Sequence, residues 1–117
     1  MQEVTTIPPS QWGSFLARFS AEHCGQEADI EHLDPQSSRT VAVRLPLIRV
    51  DSSGSPGSEP QFHVCSGDQT GVIEDALANP LRIKVREWDG GRAAELEMAS
   101  RDGAAIRVRV SGPQTVQ

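Results

Sequence analysis

The stretch that decides the fold is LRIKVREW (81–88), RAAELEMA (92–99) and AIRVRV (105–110), three segments joined by two glycine-containing turns. Side chains of a strand alternate between the two faces of a sheet. In the first segment Leu81, Ile83 and Val85 share one face, and Arg82, Lys84 and Arg86 the other. In the second, Ala94, Leu96 and Met98 oppose Ala93, Glu95 and Glu97. In the third, Ile106, Val108 and Val110 oppose Arg107 and Arg109. Asp89-Gly90-Gly91 and Arg101-Asp102-Gly103 supply Gly where a tight turn needs positive φ. Leu81 to Val110 is therefore expected to be an antiparallel meander of three strands.

The polar faces of these strands run basic, acidic, basic. Opposite charges that face each other across strands contribute roughly 0.2–1 kcal/mol per pair. They also fix the register, because a slip of one residue buries them. Arg82, Lys84, Arg86, Arg107 and Arg109 have two readings. One is a nucleic-acid patch. The other, which is preferred, is a salt-bridged solvated face in which Glu95 and Glu97 stand between the two basic strands.

Size and composition bound the rest. The 117 residues suit a single domain, 1–117, with a modest core. A net charge of −5 does not suit a general nucleic-acid binder. No apolar run reaches the length of a membrane span and no charged-then-apolar leader is visible, so a cytoplasmic location without a membrane partner is expected. Two cysteines are too few for a disulfide framework. Aromatic residues are scarce, which poorly supplies an aromatic-lined ligand site or a base-stacking platform.

Upstream of the meander the expectations are as follows. Residues 1–6 read as a flexible start. Ile7-Pro8-Pro9-Ser10 prepares a helix, with Ser10 as N-cap. Trp12, Phe15, Leu16 and Phe19 then recur at i, i+3, i+4 and i+7, one apolar stripe that Gly25 ends. Trp12, Phe15 and Phe19 are three of the five Trp and Phe residues, so this helix carries much of the aromatic core. Gln26 to Leu33 reads as a strand with Ala28 and Ile30 inward, followed by a turn at Asp34 to Ser38.

Thr40 to Val50 reads as a long strand with a defect. Val41, Val43, Leu45 and Leu47 are odd positions, but Ile48 and Val50 are even. The parity changes just after Pro46, and proline inside a strand marks an edge or a bulge. A sharp bend is expected there. Residues 51–60, DSSGSPGSEP, read as a mobile loop, since they offer almost nothing to bury. Gln61 to Ser66 reads as a short strand, with Phe62 and Val64 on one face and His63 and Cys65 on the other. Gly67 to Gly71 reads as a loop, Val72-Ile73 as a brief pairing, Glu74 to Ala78 as one helical turn, and 111–117 as a flexible tail.

His63 and Cys65 form the one site-like pair on a single strand. Zinc needs three or four ligands in a tetrahedron, and the further supply is His23, Cys24 and His32. No CxxC or HxxxH spacing accompanies them. A Cys–His nucleophile needs a lowered thiol pKa and an orienting third group, for which Asp68 is the nearest acid. The bland reading is a surface histidine beside a semi-buried cysteine. Gly90-Gly91 and the Gly67–Gly71 loop lack a phosphate-binding spacing. No catalytic residue, metal or cofactor is expected.

Ile7-Pro8, then Trp12, Phe15, Leu16, Phe19 and Ser20, Leu45-Pro46-Leu47, and Asn79-Pro80 before the meander together carry a likeness. Through them the chain resembles a small bacterial family known as a domain of unknown function, over nearly all of its expected ordered length. That resemblance implies a shared fold and brings no activity or catalytic residue. His63, Cys65, His23 and Cys24 lie outside its pattern.

The expected fold is α+β, mostly β. An N-terminal helix is followed by a strongly bent antiparallel sheet of about five strands, in the element order of Sm-like and SH3-like small barrels. An open sheet with the helix across one face is the alternative. The expected function is a non-enzymatic interaction module that binds another protein or itself, by adding a strand at Thr40 to Val50 or at Ala105 to Val110. The alternatives are an Sm-like nucleic-acid binder using the basic strands, and a thiol- or metal-dependent enzyme at His63 and Cys65.

Overall fold

The computed structural model of the chain describes residues 4–53 and 60–111. Strand β1 (Val4–Ile7) leads through a short 3₁₀ turn (Pro9–Gln11) into helix α1 (Trp12–His23). The strands β2 (Glu27–Asp34), β3 (Ser37–Ser53), β4 (Gln61–Asp68), β5 (Gly71–Ala78), β6 (Pro80–Trp88), β7 (Ala93–Ser100) and β8 (Ala105–Val110) follow. They form one antiparallel sheet in the order β1-β6-β7-β8-β2-β3-β4-β5. The mostly-β class with one N-terminal helix is as expected. Among the described residues the sheet has eight strands rather than about five, and it is not closed into a barrel.

The two segments read as something other than strand, in β1 and β5, pair for physical reasons. Val4 to Thr6, expected to be loose, are β-branched residues that pair with Arg86 to Lys84, and Ile7 is buried opposite Ile83. Glu74 to Ala78, expected to be a helical turn, pair without interruption along β4. Here Glu74 faces out while Ile73, Asp75 and Leu77 face in. The acidic residues that argue against a strand are accommodated by His32, Arg39 and Arg49.

The meander forms as its alternation dictates. Ile83, Leu96, Met98, Ile106, Val108 and Val110 are buried. Leu81 is the exception, 38% exposed, because a register shift between Pro80 and Arg82 turns it outward. The polar face carries two rows of charge. One row reads Lys84, Glu97, Arg107, Glu31 across β6, β7, β8 and β2; the other reads Arg86, Glu95, Arg109, Asp29.

β3 is longer and less regular. Its pairing with β2 shifts twice, between Ala28 and Ile30 and between Ile30 and Glu31, and its pairing with β4 shifts between Leu47 and Arg49. The last shift is the parity change expected after Pro46. The earlier two bury Ala42 and turn Val43 out to 61% exposure. Arg44 there adopts a positive φ of 55°, and its N–H donates to Asp29 Oδ1 (2.9 Å). The Ser66 hydroxyl sits between the carbonyls of Leu45 (2.9 Å) and Pro46 (2.7 Å), which satisfies the bend from beneath.

Helix α1 covers the part of β3 that outruns β2. The Val50 N–H donates to Ser20 Oγ (2.8 Å), and the Ser20 hydroxyl lies between the Val50 and Leu16 carbonyls (2.9 and 2.8 Å). Gly25 N–H donates to the Leu47 carbonyl, and Leu47 N–H to the Gln26 carbonyl, both at 2.8 Å. Thr40 to Val50 is therefore no free edge, and neither is Ala105 to Val110, which lies between β7 and β2. Both edges expected for partner binding are corrected on this account.

The apolar stripe of α1 behaves as its spacing requires. Phe15, Leu16 and Phe19 are buried, and Trp12 packs edge-on against Phe62 (5.1 Å) while its indole N–H donates to the Ile7 carbonyl (2.9 Å). Ser10 does not cap the helix, because the 3₁₀ turn delays its start and leaves Gln11 in the cap position. Of the expected mobile loop 51–60, residues 51–53 belong to β3 and 54–59 lie outside the described residues. Of the expected tail 111–117, Ser111 is held by its N–H to the Glu27 carbonyl (3.1 Å), and 112–117 lie outside the described residues.

Candidate functional site

The ladder of charge on the outer face gathers the basic residues singled out from sequence with the carboxylates of β7 and β2. Arg109 is gripped by one carboxylate oxygen of Glu95, which accepts from Nη2 at 2.7 Å and from Nε at 3.2 Å. That bond and the Glu95 charge hold the guanidinium in its protonated form even more firmly than usual. Arg107 lies between two acids, 3.7 Å from Glu97 and 3.9 Å from Glu31. Arg82 sits beyond the acidic residues, opposite Ala99. The five basic residues singled out from sequence thus share a face but not a condition. Arg107 and Arg109 are neutralised by flanking carboxylates, whereas Arg82, Lys84 and Arg86 form no ion pair among the described residues.

Two grooves flank the ladder. One, of about 170 Å³, lies at the β1 end and is lined by Val4, Lys84, Val85, Arg86, Glu95 and Glu97. The other, of about 220 Å³, opens where β3 bulges away from β2 and is lined by Asp29, Glu31, Thr40, Ala42, Val43, Arg107 and Arg109.

His63 and Cys65 do lie on β4 with side chains on one face, but their surroundings do not activate the thiol. Cys65 is buried opposite Arg49 and Glu74. Burial pushes its pKa up, the Arg49 charge opposes this, and the Glu74 carboxylate adds to the rise. A thiol held protonated is a weak nucleophile and a weak metal ligand. Asp68, the acid nearest in sequence, is turned to the β4–β5 turn, where its Oδ1 accepts from the Thr70 N–H (2.8 Å) and hydroxyl (2.5 Å). Those two bonds hold its carboxyl below the usual range. Cys24 and Cys65 are both free, and no group of three potential metal ligands converges among the described residues.

The polar centre that sequence reasoning missed joins β2 to β5. His32 Nδ1 lies 2.7 Å from Asp75 Oδ2, and its Nε2 faces Asp34 at 3.4 Å. Arg39 reaches the other oxygen of Asp75 at 3.4 Å. The His32 and Asp75 side chains are only 12% and 11% exposed. They face the core side of the sheet, so this pair ties the edge strand β5 back across the fold. A helical turn at Glu74 to Ala78 gives Asp75 no partner on β2, whereas the strand turns it toward His32. The alternation of Ile73, Asp75 and Leu77 is the signal that would have found it. Among the described residues no hydroxyl or thiol hydrogen-bonds the His32 ring, so the pair offers a base and its orienter without a nucleophile.

A second histidine is structural. His23, expected as a further zinc ligand, is buried, 4.5 Å from the Phe19 ring centre, and its Nδ1 bonds Gln26 Oε1 (2.5 Å). The Gln26 amide then donates to the carbonyls of Arg92 (2.8 Å) and Ser111 (2.6 Å), which fastens the end of α1 to the meander.

No family model matches the chain, and no curated protein or solved structure does either.

Proposed function

We propose that the chain is a non-enzymatic interaction module that binds another protein, or a second copy of itself, at an open edge of its sheet. The observation that supports this reading is the open sheet, whose edges among the described residues are β1 and β5. An unpaired edge presents a row of backbone donors and acceptors, and adding a strand satisfies them. A cytoplasmic location and membership of the bacterial family resembled by the Trp12–Ser20 helix belong to the same proposal. No helix of the described residues is long and apolar enough to cross a membrane.

Against the nucleic-acid reading stand the carboxylates beside Arg107 and Arg109, and against the thiol reading stands the burial of Cys65. The test is crosslinking of untagged protein, in native lysate and when purified, with the linked peptides mapped. Crosslinks that fall on β1 or β5 and vanish when that strand gains a further charge (Thr5→Glu or Val72→Lys) are expected. A protein that stays monomeric at high concentration and gives no crosslink at either edge overturns the proposal.

A further inference from the structure

The charge ladder is unbalanced at one end. Arg107 stands between Glu97 and Glu31, and Arg109 between Glu95 and Asp29. Lys84 and Arg86 have Glu97 and Glu95 on one side only; on the other, β1 offers Thr6 and Val4. These short side chains leave open the 170 Å³ groove in which Lys84 and Arg86 lie.

The strand beside that groove is unguarded. Natural edges are usually blunted by charge, proline or a bulge. β1 reads VTTI, carries none of these, and exposes Val4 at 48%. β5, at the opposite edge, carries Glu74 and Asp75, and Asp75 is tied down by His32 and Arg39.

We propose that β1 accepts an extended acidic segment of a partner protein, added as a further strand whose alternate carboxylates reach over Val4 and Thr6 to Lys84 and Arg86. This rests on the edge-binding reading and specifies its partner. Neighbouring strands lie about 4.8 Å apart, so Lys and Arg side chains span one intervening strand of small residues. Main-chain pairing supplies affinity, and the side chains at every second position supply selection. A second copy of β1 brings no carboxylate in VTTI, and a nucleic acid finds only part of the basic set unneutralised. An acidic protein segment is the occupant that completes both the edge and the ladder.

The test is a titration of ¹⁵N-labelled protein with a capped heptapeptide of alternating valine and glutamate, followed by amide shifts. Shifts are expected at Val4 to Ile7 and along β6. Binding is expected to weaken about tenfold with lysine in place of glutamate in the peptide, and in the double variant Lys84→Gln/Arg86→Gln. The milder Lys84→Arg should retain it. Silence at β1 with millimolar peptide, equal binding of the lysine peptide, or tighter binding of a single-stranded oligonucleotide at Lys84 and Arg86 overturns the inference. If β1 is silent but crosslinks map to β5, this inference falls while edge binding stands. If both edges are silent, both fall.

Discussion

The meander β6-β7-β8 and the β3-β4-β5 half are built from the same kind of strand but are held by different means. In the meander, past the register shift at Leu81, every second residue is apolar and the charges of adjacent strands complement one another. Its register is specified side chain by side chain. The β3-β4-β5 half is specified by exceptions: three register shifts in β3, a proline, and the Ser20 and Ser66 hydroxyls, which take backbone groups the bend leaves over. Local alternation is enough for a regular sheet, whereas a folded-over sheet needs particular residues at particular joints.

The sharpest challenge to that contrast is Phe62→Ala. Phe62 is buried in β4, and it belongs to the same apolar cluster as Leu96 of the meander. The substitution is expected to cost about 3–5 kcal/mol in urea unfolding, with one transition for the whole chain. An early, separate transition would show that the two halves are independent units. Ser20→Ala removes the joint between α1 and β3 and leaves the Val50 N–H without its acceptor. A loss of about 1–3 kcal/mol is expected, with faster amide exchange at Val50 and little change at Val108.

Asp75→Asn weakens the tie between β5 and β2. A loss of about 1–2 kcal/mol is expected, read as reduced hydrogen-exchange protection confined to β5. A uniform loss across the sheet would show that the pair supports the whole fold rather than its edge. On the regular side, Arg109→Ala is expected to cost only about 0.2–1 kcal/mol, and less in high salt, because its side chain is half in solvent.

The smallest effect at neutral pH is expected for Cys65→Ser. Folding holds the Cys65 proton more tightly than the unfolded chain does, first through burial and then through Glu74. Its contribution is therefore complete below the ordinary thiol value and is lost as pH rises from there through the raised folded value. The variant should flatten the alkaline decline of stability. In the native protein iodoacetamide should modify the exposed Cys24 well before Cys65.

Legibility follows the same division. Ile83, Leu96 and Ile106 could be placed inward from period alone, and Trp12, Phe15, Leu16 and Phe19 from helical spacing, because each pattern is local and repeated. Leu81 could not, because a bulge is decided by what the strand must pair with. The Glu74–Ala78 segment was misread for a related reason: acidic residues disfavour a strand until His32, Arg39 and Arg49 stand opposite them. β1 was missed because four residues carry too little pattern to be read before β6 is there to pair with them.

The sequence by itself determined the helix stripe, the three-stranded meander, its alternating charges and the bend after Pro46, since each depends on neighbours a few residues apart. Tertiary structure alone decided that the described residues form eight strands, that β1 and β5 are the edges among them, and that His32 meets Asp75. It also decided that Arg107 and Arg109 are neutralised while Lys84 and Arg86 are left to face the edge. Those outcomes depend on which strand lies beside which, and that order is set by burying one continuous core rather than by any local pattern.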